Sequence, residues 1–232
     1  MQRIRTPEIM DDPSLDERLH REALYGLMRI NSLSDSYQVL WKRILACAEK
    51  YPGKKLRMLD VATGIGDHPI RIARLAEKAG LNIEVSGCDI SERSIEFASE
   101  YAKRSNADVE FFKLDVINDN LPEGYDIVTS SLFFHHLDES EIVLLLKKMS
   151  FAAGKLVLIN DITRSRVNLF LVWLATRLLT NSPVVRFDGP VSVKAAFTIP
   201  EMKAIAEKAG LAHFNISKQK PCRFLLEWNK AD

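Results

Sequence analysis

The sequence is poor in most of the features that settle a protein's class at a glance. Cysteine is scarce: Cys47, Cys88 and Cys222 are odd in number and far apart. That excludes a disulfide framework and a cysteine metal pattern, and it predicts reduced structural thiols in a cytoplasmic protein. Long apolar runs are missing as well. The most apolar stretch, Val167 to Ala175, is broken by Asn168 and closed by Arg177, well short of the ~20 residues that a bilayer span needs. Met1 to Pro13 is polar and holds no secretory apolar core. Neither sign of charge dominates, with 32 Lys and Arg against 31 Asp and Glu. Without a basic stripe, no nucleic-acid partner is expected. Repeats and low-complexity tracts are absent, which excludes solenoids and repeat arrays.

What remains is an ordinary globular composition, 47% apolar and 27% charged over 232 residues, enough for one large domain or one domain with an appendage. Its organising stretch is Leu56-Arg57-Met58-Leu59-Asp60-Val61-Ala62-Thr63-Gly64-Ile65-Gly66-Asp67. An apolar run turns through two glycines one residue apart and feeds an amphipathic segment, the pattern of strand, tight turn and helix. Gly64 and Gly66 permit a sharp turn and the approach of a ligand where a Cβ would intrude. A dinucleotide fingerprint requires a third glycine, and His68-Pro69 stand where the rest of it would run.

Before this stretch, Ser14-Leu15-Asp16-Glu17 reads as a capping box that opens a helix to about Ile30. Residues 1–13 read as poorly ordered. A second helix, 35–50, places Tyr37, Leu40, Trp41, Ile44 and Ala48 on one face. Beyond strand 56–61 come helix 69–79, strand 82–88, helix 92–103 behind the cap Ser91, and strands 108–113 and 125–130. Helix 139–149, capped by Asp138, leads to strand 155–160. Such alternation predicts a mostly parallel sheet covered on both faces. Residues 166–180 are helical in length and apolar almost all round, whereas 181–197 are rich in turn residues and read as a connection. Thr198-Ile199-Pro200-Glu201 is a further capping box. The end, 212–218 and 223–229, reads as an antiparallel hairpin.

The order Asp60-x-Ala62-x-Gly64-x-Gly66-Asp67, then Asp89, then Asp115, then Tyr125-Asp126-Ile127-Val128-Thr129-Ser130 resembles the class I S-adenosylmethionine (SAM)-dependent methyltransferases. Their ubiquinone/menaquinone-type small-molecule branch is the most similar. The resemblance covers about 55–160 and, in outline, the C-terminal hairpin. It implies an α/β fold: a Rossmann-like, seven-stranded, mostly parallel sheet with a C-terminal antiparallel hairpin and an α-helical cap. Residues 1–54 would form the N-terminal helical cap, and 55–232 the SAM-binding domain with an apolar helical insertion at 162–197. Many family members carry glycine at Ala62, and alanine fits there if its φ stays negative.

The cofactor implied is SAM, leaving as S-adenosylhomocysteine (SAH). By the same likeness Asp60 and the loop from Ala62 through Gly64 to Gly66 anchor the methionine end. Asp89 accepts from the ribose hydroxyls and Asp115 from the adenine amino group, while Ile90, Val116 and Ser130 complete the cofactor-binding set. Ser130 to Leu137 then stands where the methyl group projects. It lacks the Asn/Asp-Pro-Pro-aromatic signature of enzymes that methylate nucleic-acid amines. His135 is the candidate general base, since an imidazole of near-neutral pKa can take a phenolic or enolic proton; His136 reads as more structural.

Phe133 and Phe134 are expected in the acceptor pocket, roofed by Phe170, Trp173 and Leu174, with Arg164 and Arg186 placed to pair a carboxylate. Glu8 to Pro13 and Arg186 to Phe197 resemble a bacterial subset acting on phenolic or polyketide-derived lipids. The implied reaction is methyl transfer to oxygen or carbon of a small apolar or aromatic acceptor: a phenol, a quinol or such a lipid. The other uses of 166–180 are packing, a subunit interface or a peripheral membrane contact. No metal is expected, because His135 and His136 are sequence neighbours and no nearby carboxylates have ligand spacing. Rival readings are a SAM-binding scaffold, a protein methyltransferase and an NAD(P)-dependent reductase.

Overall fold

The computed structural model describes residues 1–12, 14–33 and 36–230. Its apolar segments pair into one seven-stranded sheet: β1 (Leu56–Val61), β2 (Ile83–Asp89), β3 (Val109–Lys113), β4 (Tyr125–Ser131), β5 (Ala153–Ile162), β6 (Asn215–Gln219) and β7 (Arg223–Asn229). The spatial order is β3-β2-β1-β4-β5-β7-β6. β1 runs parallel to both β2 and β4, and β7 is antiparallel to β5 and to β6. The chain thus leaves β1 in one direction toward β3 and returns on the other side to β4. Open sheets bind ligands at such a reversal, beyond the carboxyl ends of the strands.

Among the described residues the helices are α1 (Glu17–Leu33), α2 (Ser36–Ala48), α3 (Asp67–Lys78), α4 (Glu92–Arg104), α5 (Glu139–Ala152), α6 (Arg166–Leu179), α7 (Pro183–Ala195) and α8 (Ile199–Lys208). Period-2 alternation splits the strands between two cores. Leu59, Val61, Val128, Val157, Ile159 and Phe224 pack beneath α5 and α8. Met58, Ile127, Leu156, Leu158 and Leu225 pack beneath α2 and α3. Leu40, Ile44 and Ala48 of α2 are buried at the predicted spacing, so α2 belongs to the layer on the sheet. α1 instead packs against α6 and α7. The two N-terminal helices therefore serve different layers.

Several local expectations are corrected. The cap of α1 is Asp16, whose Oδ1 accepts from the Arg18 and Leu19 amides at 3.1 Å; Ser14 instead donates to Asp12. The polar N-terminal arm is tied down, with Arg3 donating to the carbonyls of His135, Leu137 and Ala195. Residues 183–195 form a helix despite Pro183, Gly189 and Pro190. Ser182 caps it, Pro183 sits in its first turn, and Val184, Val185, Val191 and Val193 are buried. Gly189 is required there, because a Cβ would fall 2.6 Å from Thr176 Cγ2 of α6.

Ala62 has φ +54°, so the expected negative φ is also corrected. An alanine in this region carries about 1–2 kcal/mol of strain. Ala62→Gly relieves it at some loss of unfolded-state restriction, and urea unfolding is expected to show a net gain of about 0.5–1 kcal/mol.

Candidate cofactor and acceptor site

The reversal point is lined by the residues that the sequence singled out. Asp60 ends β1 fully buried; its Oδ2 accepts from Thr63 Oγ1 at 2.8 Å and its Oδ1 from Thr129 Oγ1 at 2.5 Å. Burial pushes its carboxyl up, and His68 with the two hydroxyls pulls it back only in part. The two glycines do different things. A Cβ on Gly64 would meet nothing within 4 Å, so this backbone faces open space, and its N–H donates to Asp89 Oδ2 at 2.8 Å. A Cβ on Gly66 would fall 2.7 Å from Phe111 Cζ, so Gly66 serves packing at the start of α3.

Asp89 also accepts the Ser91 amide on Oδ1 at 2.9 Å, which fixes the carboxylate at the mouth of β2. Desolvation raises its pKa. Ile90, beside it, is 59% exposed. The Leu114 amide donates to the Asp89 carbonyl, which brings the end of β3 alongside. There Asp115 collects the Ile117 and Asn118 amides on Oδ1 and the Asn118 side chain on Oδ2. The Asn118 bonds hold its carboxyl below the usual range. Val116 is buried in the α5 core, and Ser130 donates to the Val61 carbonyl at 2.9 Å, lacing β4 to β1.

A polar layer that sequence reasoning missed continues this rim toward β7. Register pairs Asp60 with Thr129, Ser131 with Asn160, and Ile162 with Arg223, so period 2 puts Asp60, Thr129, Ser131, Asn160 and Arg223 on one face. Arg223 Nη2 donates to Asn31 Oδ1, and Asn31 Nδ2 donates to Asp67 Oδ2. Both polar atoms of the Asn160 amide, Ser131 Oγ and Arg223 Nη1 are buried with no hydrogen-bond partner among the described residues. Such orphans are uncommon. The available signal was two polar residues, Asn160-Asp161, ending the apolar run of β5.

Asp67 anchors this layer. Burial opposes its charge, but His68, the Asn31 hydrogen bond and Arg71 bring it down to about 2. A carboxyl depressed below its unfolded value contributes stability above that value and loses it as pH falls toward the folded one. Asp67→Asn is therefore expected to remove about 2 kcal/mol at pH 7. Urea titrations should show this difference closing between about pH 4 and pH 2.

The acceptor candidates fare differently. His135 is buried, with Nδ1 2.8 Å from Asp161 Oδ1 and Nε2 3.7 Å from Glu8 Oε1. Burial alone would lower its pKa; the charge and hydrogen bond of Asp161, joined by Glu8, push it up to about 10. It is thus an imidazolium in an ion-paired cluster at neutral pH, a poor state for a base. His136 stands half-buried against Asp11, with the Phe133 ring stacked on it. Phe134 lies in the α5 core, not in a pocket.

The remaining acceptor candidates lie on or near α6. Phe170, Trp173 and Leu174 are 59%, 42% and 36% exposed. α6 is inverted: its fully buried residues are Asn168 and Thr176, while its apolar stripe faces out. Arg164 is consumed by the Met1 and Ala196 carbonyls and by Glu201. Arg186 is consumed by the carbonyls of Thr180 and Arg177 at the end of α6 and by the Asn181 side chain.

Comparison with known proteins finds likeness in part of the sequence and in the fold. Residues 58–152 match the family model of a methyltransferase domain. The ribosomal protein L11 methyltransferase of Dictyoglomus turgidum is 32% identical over 126 residues, 53% of this chain and 38% of that one. The release factor glutamine methyltransferase of Lactococcus lactis is 34% identical over 101 residues, 44% of this chain and 34% of that one. The chain thus spans little more than a third of either relative. In structure it is similar to the plantazolicin methyltransferase BamL, solved with SAH, at TM-score 0.67 and 14% identity over 90% of each chain. It is also similar to the magnesium protoporphyrin IX methyltransferase ChlM of Synechocystis PCC 6803, solved with SAH, at TM-score 0.60 and 14% identity over 96% and 91%. Residues 58–152 thus match a methyltransferase domain, and the chain shares the Rossmann-like fold of methyltransferases solved with SAH.

Proposed function

We propose that this protein is a SAM-dependent methyltransferase acting on oxygen or carbon of a small, apolar acceptor that it meets at a membrane surface. The observation that carries the cofactor half is the juxtaposition of Asp60, the open Gly64 backbone and Asp89 at the reversal point. These residues fit the group: Asp89 is fixed by two backbone amides, leaving lone pairs for ribose hydroxyls, and buried Asp60 suits an ammonium. When bound, SAM supplies a methyl group on a sulfonium, which departs as a neutral thioether. The protein's part is to hold the donor at the ends of β1 to β3 and to exclude water. Positioning of that kind can contribute about 7–11 kcal/mol, so the ion-paired His135 need not act as a base. Asn160, Ser131 and Arg223, with polar atoms unpaired and buried, suit a polar group of the acceptor or of the methionine end.

The membrane half rests on α6. Val167, Phe170, Leu171, Trp173, Leu174 and Leu178 are its exposed apolar residues, from 36% to 73%. From Arg164 to Phe187 there is no acid, and Arg166 and Arg177 are the exposed cations, Arg164 being buried against Glu201. An apolar stripe with Phe and Trp, flanked only by cations, fits an anionic lipid surface; a second copy would bring like charges together. Among the described residues no helix is long and apolar enough to cross a membrane. We expect co-sedimentation with phosphatidylglycerol vesicles that Phe170→Glu/Trp173→Glu weakens at least about 10-fold. Equal binding by the variant would remove the membrane from the proposal.

A protein acceptor is the second reading, favoured by relatives named for methylating ribosomal protein L11 and a release factor. SAH release separates the two. Turnover with phenols, quinols or alkyl-resorcinols in vesicles supports the first; turnover with polypeptide alone supports the second.

A further inference from the structure

The fold brings to His135-His136 the carboxylate that their sequence neighbourhood lacks. The N-terminal arm seats Glu8 beside them, so that a Glu8 oxygen and one ring nitrogen from each histidine lie within 4.8 Å of one another. We propose that Glu8, His135 and His136 form a binding site for a divalent ion of the zinc class, with one coordination position left to water.

Distances, backing and charge support it. Four-coordinate zinc with ligands at about 2.0–2.1 Å separates them by about 3.4 Å; Glu8 Oε1 lies 3.7 Å from His135 Nε2, so that pair is near ligand spacing, and all three atoms lie within 4.8 Å of one another. Each histidine already has a carboxylate behind it: Asp161 at 2.8 Å from His135 Nδ1, and Asp11 at 3.2 Å from His136 Nδ1. Zinc-bound imidazoles are oriented in this way. The neighbourhood is also rich in negative charge. Glu8, Asp11 and Asp161 surround the two rings, and Asp188 sits under the arm, accepting the Ile9 and Met10 amides. The Arg3 guanidinium is committed to the His135 and Leu137 carbonyls.

In the bound form the His135 Nε2 lone pair would go to the metal, with Nδ1 turned to Asp161. The bound ion would clamp the arm to the segment after β4. This site stands apart from the methyltransferase reading, since none of its evidence involves SAM.

The test uses the full chain stripped with chelator and titrated with Co²⁺, read by its visible bands, and with Zn²⁺, read by calorimetry. We expect one ion per chain at about micromolar affinity or tighter, with proton release. Glu8→Gln and His136→Gln should each weaken it at least about 10-fold, and His213→Gln, on the exposed surface, should not. Asp11→Asn, which spares all three ligands, should cost about 10-fold and covers the case in which a ligand variant fails to fold. No binding by folded wild type at about 100-fold that concentration, or binding that Glu8→Gln or Asp11→Asn leaves unchanged, would overturn the proposal.

Discussion

Asp89→Ala is expected to abolish useful SAM binding while leaving the protein folded. The carboxylate stands at the mouth of β2 and accepts two backbone amides, from Gly64 and Ser91. Its removal would delete the proposed acceptor for the ribose hydroxyls and free the Gly64 loop together. Hydrogen bonds to a charged group contribute about 1.5–3 kcal/mol each, so losing two weakens binding by about 100-fold or more. Asp89→Asn keeps one acceptor oxygen and should fall between the two. Stability should change little, because burial raises the Asp89 carboxyl and disfavours its charge in the free protein. Calorimetric titration of SAM into the three proteins, with circular dichroism as the folding control, checks this.

The second large effect is on stability. Asp161→Ala should cost about 3–5 kcal/mol, because deleting one member of a buried ion pair leaves the other uncompensated. Asp161 is 1% exposed; it holds His135 Nδ1 at 2.8 Å, and its second oxygen accepts the His135 amide. Burial would raise its own carboxyl, and His135 more than offsets that. Asp161→Asn keeps the amide contact without the charge and should lose less. Urea unfolding of both variants reads the difference, and a loss below about 1 kcal/mol for the alanine variant would show that His135 finds its compensation in Glu8.

How far the molecule could be read in advance follows from where its information lies. The strands and sheet helices were legible because each buries one face, as Leu40, Ile44 and Ala48 do in α2. The turn at Gly64 and the aspartates at the strand ends were legible because backbone conformation and strand polarity fix their place. α7 was not, since Pro183, Gly189 and Pro190 favour turns locally. Only tertiary contacts, the fit of Gly189 against Thr176 and the burial of its valines, make that segment a helix. α6 is apolar almost all round, and its uncharged polar residues, Asn168 and Thr176, are the ones that are covered, the reverse of the usual pattern. The roles of Glu8, Asn31 and Arg223 depend on contacts between segments far apart in the chain, which no local pattern records.

The measurement that bears most directly on the account is calorimetric titration of SAM into the wild-type chain, followed by assay of SAH with an apolar acceptor in anionic vesicles. The account predicts one SAM per chain, lost in Asp89→Ala, and SAH release that depends on the acceptor. Absence of SAM binding by folded wild type would contradict it.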